Sequence, residues 1–179
     1  MVRARAPCTG EREPYRRAGT IGVVCLCCAF DRSLSPYYWG NVFDADMPFR
    51  VVVEHNHLFD DPAYRGERLV YAGTYAREPE LRPERVEALR ARMLDGLQRL
   101  GRLQAGPAPH LLWSETSVFE DASPVYGLNF GSLVQSLPRV DGVWMSGAYF
   151  VYPDSRNVNA MIRAAGPVVS AVGGYLARG

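Results

Sequence analysis

Runs of apolar residues, separated by short polar turns, dominate the first 120 residues of the chain. The first run is apolar at nearly every position, which is typical of a strand buried on both faces. Because the first four runs follow one another through short turns, we expect an antiparallel meander. The predicted strands span residues 20–30, 37–43, 49–57, 68–75 and 110–119.

Two segments carry apolar residues at helical spacing. The first spans residues 83–101, where an apolar stripe alternates with charged positions. The second begins at Val158, and Asp154 or Ser155 is expected to cap it. An apolar run of strand length, Val143–Met145, precedes this second helix. The pattern predicts an α+β fold: a mixed, largely antiparallel sheet with a covering helix and a C-terminal strand–helix unit.

Composition divides the chain into three parts. Residues 1–18 are rich in Arg and poor in apolar residues, and we expect a disordered basic arm. Residues 19–141 hold the predicted sheet and the first helix. Residues 142–179 hold the strand–helix segment.

Charge and cysteine usage exclude several classes of protein. The formal net charge is +1 over 179 residues, so nothing favours a nucleic-acid partner. No apolar run is long enough to predict a membrane span. The four cysteines form no metal-binding pattern and are expected to be small buried thiols in a reducing, cytoplasmic environment.

The tetrapeptide Glu54-His55-Asn56-His57 is the strongest candidate for a motif with a chemical role. On a strand, His55 and His57 would point the same way, as metal ligands can. Because no spacing supplies a third ligand, we expect no metal there. The serines show no nucleophile motif, and no Gly-x-Gly-x-x-Gly turn follows a strand. The sequence therefore assigns no catalytic residue and no site for the ADP half of a dinucleotide.

The C-terminal segment carries Tyr152-Pro153-Asp154, Arg156, Asn159 and Arg163 after an apolar run. In this order, these residues resemble the flavin-contacting segment of the flavin amine oxidase and protoporphyrinogen oxidase superfamily. The resemblance implies that a helix N-terminus faces the flavin ring. The implied flavin contacts, through backbone N–H groups and the helix dipole, are Gly147, Arg156, Asn157 and Asn159.

The resemblance extends over residues 20–176 and corresponds to the C-terminal, substrate-side half of that family. Its further pieces are Leu34-Ser-Pro-Tyr-Tyr-Trp39, Pro48-Phe49 with Glu54-His55, and Leu69-Val-Tyr71. It implies that the substrate space is lined by Tyr37, Trp39, His55 and Tyr75. The chain departs from the family in lacking the dinucleotide-binding half. It also has Asn157 and Val158 where Gly and Thr are usual, and Ala148 where amine oxidases have an acidic residue.

The resemblance implies an FAD-dependent oxidoreductase that is truncated or split, in which a hydride passes from the substrate to the flavin. Without a Gly-rich phosphate turn, we expect the chain alone to bind FAD weakly or not at all. We expect the helix side marked by Ala160, Ala164, Ala171 and Gly174 to be left uncovered within the chain, and to be covered by a dinucleotide-binding partner chain or by self-association. The alternative is a non-catalytic binding or interaction domain that keeps the fold.

Overall fold

The computed structural model describes residues 19–103, 106–137, 142–154 and 156–177. The predicted basic arm, residues 1–18, lies outside the described residues. Contacts divide the chain into two compact units. The sheet unit is Ile21–Ala122, and the C-terminal unit is formed mainly by the described residues from Ser123 onward. The division predicted between residues 141 and 142 stays a prediction.

Among the residues that the structure describes, five strands form one sheet, in the order β2–β3–β4–β1–β5. The pairs β2–β3, β3–β4 and β4–β1 are antiparallel. Strand β5 also runs opposite to β1: the Asp31 N–H donates to the His110 carbonyl (3.0 Å) at one end, and the Val125 N–H to the Gly19 carbonyl (2.9 Å) at the other. The strands are β1 (Thr20–Phe30), β2 (Trp39–Asn41), β3 (Val51–Glu54), β4 (Arg68–Ala76) and β5 (Leu111–Pro124).

The predicted meander is wrong in the position of β1. This strand does not pair with β2 but lies between β4 and β5. It is the most continuously apolar strand, and a central position pairs both of its edges while removing its side chains from water. The rest of the sequence order, β2–β3–β4, does form consecutive antiparallel pairs.

The two faces of β1 differ in burial. Val24, Leu26 and Cys28 are fully buried, whereas the intervening Cys25 and Cys27 are half-buried. Because successive strand residues point to opposite faces, the sheet has a covered face and an open face. Equal burial on both faces of β1 was therefore a wrong expectation.

Helix α1 (Pro83–Arg102) packs on the covered face. Pro83 stands at the first helical position, where its missing N–H leaves no bond unmade. Met93 and Leu97 are fully buried with Phe49 in the core. The helix approaches the sheet closely at Gly96, where a Cβ would lie 2.9 Å from Phe49 Cε1. The predicted covering helix is confirmed, one residue longer than expected.

Strand β3 is shorter than predicted, because the chain turns at Asn56. Residues His55–His57 form a 3-10 turn instead of continuing the strand. The Asn56 side chain accepts a hydrogen bond from the Leu69 N–H (2.6 Å) and donates to the Glu67 carbonyl (3.0 Å). These side-chain bonds take the place of a strand ladder. His55 and His57 therefore lie in a turn and are not placed on one face by a strand.

The outer strands also differ in length from their predicted ranges. Strand β2 keeps only Trp39–Asn41 of the predicted 37–43. Strand β5 continues to Pro124, past the predicted end at residue 119. Strands β1 and β4 match their predictions closely, which reflects their longer and more apolar patterns.

The C-terminal unit contains helices α2 (Phe130–Gln135) and α3 (Val158–Leu176). The predicted strand Val143–Met145 is wrong: it has no regular secondary structure and pairs with no described strand. Trp144 instead packs its ring against Tyr175 of α3, with ring centres 5.0 Å apart. The unit is thus built from loops and helices.

The cap of α3 is Asn157, not Asp154 or Ser155. Its Oδ1 accepts a hydrogen bond from the Ala160 N–H at 2.9 Å. Asp154 forms an ion pair with Arg163 instead (2.7 Å), and Ser155 lies outside the described residues.

The α+β class, the largely antiparallel sheet and the covering helix are confirmed. Within the part of the chain that the structure describes, no helix is both long and apolar enough to cross a bilayer.

Candidate functional site

The open face of the sheet, turned away from α1, is the candidate functional surface of the sheet unit. The strand register places Trp39, Val53, Tyr71 and Cys27 in one row across four strands. Directly paired residues point to the same face, so these four side chains are neighbours. The row combines aromatic, aliphatic and thiol groups.

Strand β5 adds a carboxylate beside this row. Ser114 faces α1, because Arg90 Nη2 of that helix donates to its Oγ at 2.9 Å. By strand alternation, Glu115 and Trp113 then belong to the open face. The Trp113 indole N–H donates to Glu67 at 2.9 Å, which holds this ring in place.

The open face exposes large aromatic rings to solvent. Trp39 is 54% exposed and Tyr75 is 55% exposed. Tyr75 pairs with Val23, so it occupies the same face as the row described above. Exposed apolar surface of this kind marks binding sites for ligands or partners more often than scattered apolar residues do. The structure thus brings two predicted substrate-lining residues, Trp39 and Tyr75, to one surface.

His55 lies at the rim of the open face, in the turn after β3. Its ring centre is 6.3 Å from that of Tyr71 and 5.8 Å from that of Tyr64. Its Nε2 lies 3.2 Å from the Tyr64 hydroxyl. A third predicted lining residue is therefore placed beside the aromatic row.

Tyr37 is not brought into this group by any described contact. It precedes β2, so strand alternation does not assign it to a face. It is 70% exposed, and its ring makes no ring contact within the described residues. Its backbone N–H donates to Ser35 Oγ at 3.2 Å. Its role in lining a substrate space stays a prediction.

The thiols and the Tyr71 phenol of the open face remain protonated near neutral pH. Burial is the main cause that raises the pKa of the Cys27 thiol, and it also raises the pKa of Cys25. The pKa of the Tyr71 phenol is raised mainly by burial and then by Cys27. This surface therefore offers no ready thiolate nucleophile. Its chemistry is that of binding and of shielding from water.

Glu54 is a buried carboxylate whose burial the sequence interpretation missed. It is only 2% exposed, and its Oε2 accepts a hydrogen bond from the Leu34 N–H at 3.0 Å. Its Oε1 is buried and has no hydrogen-bond partner within the described chain. His57 Nε2 lies 3.6 Å from Oε2. The inward position was readable from alternation, since Glu54 follows Val52 at a spacing of two.

Arg156 is held at the edge of an aromatic cluster in the C-terminal unit. Its Nη1 donates to the Pro124 carbonyl at 3.1 Å, and its guanidinium carbon lies 5.3 Å from the centre of the Tyr126 ring. Tyr126 packs against Phe130 and Tyr152, with ring centres 4.6 and 5.1 Å apart. These contacts orient Arg156 and use some of its hydrogen-bond donors.

The N-terminus of α3 presents two backbone donors directly after Arg156 and Asn157 in the chain. Asn157 uses its side chain as the cap, so the N–H groups of Val158 and Asn159 have no partner inside the helix. Gly147 adopts φ +141°, which only glycine tolerates easily, and no atom lies within 4 Å of the place a Cβ would occupy. The structure thus leaves both the helix end and Gly147 accessible.

The two histidines of the sequence motif have their own hydrogen-bond partners. His57 Nε2 lies 2.8 Å from the Ser35 carbonyl, while His55 contacts Tyr64. Among the described residues, no group of three His, Cys, Asp or Glu side chains is arranged to hold a metal ion. The absence of a metal at His55 and His57 stays a prediction.

Two solved structures share this fold over most of the chain. "Putative protoporphyrinogen oxidase from Exiguobacterium sp. 255-15" matches 86% of the chain with a TM-score of 0.61 at 16% identity. Reduced UDP-galactopyranose mutase matches 69% of it with a TM-score of 0.55 at 12% identity. The chain spans only 34% and 26% of the lengths of these two proteins. No family model and no curated protein matches the chain.

A likeness at these identities is a likeness of fold alone. The chain therefore shares its fold with a part of each of these two proteins.

Proposed function

We propose that this chain is the substrate-side part of an FAD-dependent oxidoreductase of the amine oxidase and protoporphyrinogen oxidase type. A separate dinucleotide-binding part would complete it. The observation that carries the proposal is the fold likeness to the Exiguobacterium protein, which pairs 86% of this chain with 34% of that one. The aromatic open face of the sheet adds a surface on which an apolar substrate can rest.

FAD is the cofactor that this proposal implies, and the C-terminal unit fits part of it. The free N–H groups of Val158 and Asn159, with the positive end of the α3 dipole, suit the oxygen-bearing edge of a flavin ring. The open space at Gly147 suits a flat ring near the backbone. Arg156 fits less well, because Pro124 and Tyr126 already engage it. For the ADP half, the sequence has no Gly-rich turn.

When bound, FAD would supply the hydride acceptor for oxidation of a C–N or C–C bond. The chain's own residues have binding tasks in this account. Trp39 and Tyr75 offer aromatic area, and His55 offers a ring nitrogen at the rim. The raised pKa values of Cys27 and Tyr71 keep these two side chains uncharged, which favours their contact with an apolar substrate. No residue is assigned a catalytic role.

The flavin contact can be located by amide NMR of the full chain titrated with riboflavin and, separately, with FAD. We expect saturable shifts of the Gly147, Val158 and Asn159 amides with both ligands. Since the ADP half has no site, the two dissociation constants should agree within about threefold.

Two matched asparagine variants make this experiment specific. Asn157→Ala removes the cap of α3 and should weaken both ligands. Asn129→Ala changes the residue before α2, which makes no side-chain cap bond, and should leave binding unchanged. Shifts centred elsewhere, or equal effects of the two variants, would refute the flavin contact.

The alternative function is a non-catalytic binding domain that keeps the fold. The internal contacts of Arg156 favour it, since a predicted flavin ligand is partly used for structure. The colour of a purified complex with a dinucleotide-binding partner separates the two functions. A yellow complex supports the oxidoreductase, whereas a stable colourless complex supports the binding domain.

A further inference from the structure

A groove in the sheet unit runs between α1 and the turn that leads into β3. Its main cavity has a volume of about 440 Å³, within the range of small-molecule sites. Three arginines line it: Arg50 from the β3 side, and Arg85 and Arg92 from the helix. This cavity lies on the α1 side of the sheet, and Tyr75 of the open face contributes to its lining at the end of β4.

The helical arginines recur at a fixed spacing. Arg85, Arg92 and Arg99 are seven residues apart, which is close to two helical turns, so they share one flank of α1. Arg92 also lines a neighbouring cavity of about 420 Å³ together with Arg99. That second cavity contains Asp46 and Asp95, which balance its two arginines. The excess of positive charge is therefore at the first cavity.

The arginines of the first cavity lack carboxylate partners. Within the described residues, Arg50, Arg85 and Arg92 form no ion pair. Arg50 Nη1 donates to the Asp44 carbonyl at 2.9 Å. The one carboxylate of the lining, Glu80, accepts a hydrogen bond from the Arg77 N–H at 2.7 Å. Most of the guanidinium donors therefore remain available to an anion.

The floor of the groove is apolar. Met47 and Ala76 are buried beneath it, and Leu89 packs against the same core. Thr74 also lines the groove; it lies on the same face of β4 as Ala72 and Ala76, and its hydroxyl makes no described hydrogen bond. The groove thus joins a cationic wall, a free hydroxyl and an apolar floor.

We propose that this groove binds a small phosphate monoester with a short apolar or aromatic body. Guanidinium groups match the oxygens of a phosphate dianion through paired hydrogen bonds, and three of them favour a dianion over a monoanion. The apolar floor favours an ester over inorganic phosphate. This binding activity goes beyond the proposed oxidoreductase role and does not depend on it.

The test is amide NMR of the full chain titrated with phenyl phosphate, inorganic phosphate and benzoate. We expect phenyl phosphate to bind most tightly, with shifts confined to residues 45–50, 74–76 and 85–92. Arg92→Gln and Arg85→Gln should each raise its dissociation constant about tenfold, since each removes charge-assisted hydrogen bonds. Both side chains are exposed, so both variants should stay folded.

Arg102→Gln is the matched control, because it removes the same charge from the same helix outside the groove. It should change the dissociation constant less than twofold. An equal loss in Arg102→Gln, equal binding of benzoate, equal binding of inorganic phosphate, or the absence of saturable shifts would each overturn the proposal. Riboflavin shifts at α3 would be unaffected by any of these outcomes.

Discussion

Helices α1 and α3 have almost the same length and use their apolar residues in opposite ways. In α1 the large apolar residues face inward, and Met93 and Leu97 are fully buried. In α3 the only fully buried residue is Ala160. Four large apolar residues of α3 lie on one stripe and are 64–71% exposed: Val158, Ile162, Val169 and Leu176. The others, Met161, Val168, Val172 and Tyr175, are half-buried.

The difference shows that apolar periodicity predicts a helix but not the side on which the helix is covered. A side of a helix is buried only where another part of the chain packs on it, and small residues allow the closest packing. Helix α3 is buried at Ala160 and half-buried at Val172 and Tyr175, while the stripe of larger side chains stays exposed. The predicted uncovered side was therefore wrong at Ala160, although Ala171 and Gly174 of that side are exposed and Ala164 is half-buried.

The largest expected effect tests burial in the two helices directly. Leu97→Ala in α1 should lower the free energy of unfolding by about 2–5 kcal/mol, because it leaves a cavity in a packed core. Val169→Ala in α3, where the side chain is mostly in water, should change it by less than about 0.5 kcal/mol. Urea unfolding followed by circular dichroism measures both values. Similar losses of unfolding free energy in the two variants would contradict the difference in burial between α1 and α3.

Two glycines provide a second matched pair. Gly96→Ala in α1 would place a Cβ 2.9 Å from Phe49 Cε1, and we expect a loss of about 1–3 kcal/mol from overpacking. Gly173→Ala in α3 meets no atom within 4 Å and should gain about 0.5–1 kcal/mol from helix propensity. Thermal unfolding gives the sign of each change. A destabilising Gly173→Ala would show that this side of α3 is covered.

Burial on the covered face of the sheet, beneath α1, also shifts the pKa of a cysteine. Burial raises the pKa of the Cys28 thiol to about 12. Above the ordinary thiol pKa the unfolded chain loses this proton while the folded chain keeps it, so stability should fall as the pH rises through 9 toward 12. We expect a loss of about 1.4 kcal/mol between pH 8 and pH 10 from this group.

The control for the alkaline loss is a neighbouring thiol on the open face. Cys28→Ala should flatten the decline in the free energy of unfolding more than Cys25→Ala does. Urea unfolding at several pH values measures both slopes. Equal slopes in the two variants would mean that the covered side does not set the ionisation of Cys28.

The smallest expected effect concerns the exposed start of α3. Asn157→Ala removes the side-chain bond to the Ala160 N–H and should cost about 1 kcal/mol, whereas Asn157→Asp keeps an acceptor and should cost less. Hydrogen exchange of the first-turn amides is the direct readout. An unchanged exchange rate in Asn157→Ala would mean that the cap contributes nothing to α3.

The sequence predicted those elements whose structure is set by residues close together in the chain. Strands β1 and β4 and helix α1 lie where their long apolar periods place them. The position of β1 between β4 and β5 could not be predicted, because it depends on which strands bury it best. The end of β3 depends on Asn56 bonds to a distant segment.

The candidate sites, too, were predictable only where they depend on residues close together in the chain. Trp39 and Tyr75 share the open face because strand alternation is a local rule. The arginine groove was not predicted, because Arg50 comes from a turn and Arg85 from a helix 35 positions later. The burial of Glu54 was readable from alternation, but its bond to the Leu34 N–H was not.

Calorimetric titration of FAD and of riboflavin into the full chain tests the central claim most directly. The claim is that this chain holds a substrate-side surface and a helix end for a flavin ring, without a site for the ADP half. We predict weak binding of both ligands, with dissociation constants that agree within about threefold. Tight, one-to-one binding of FAD that riboflavin does not share would contradict the account.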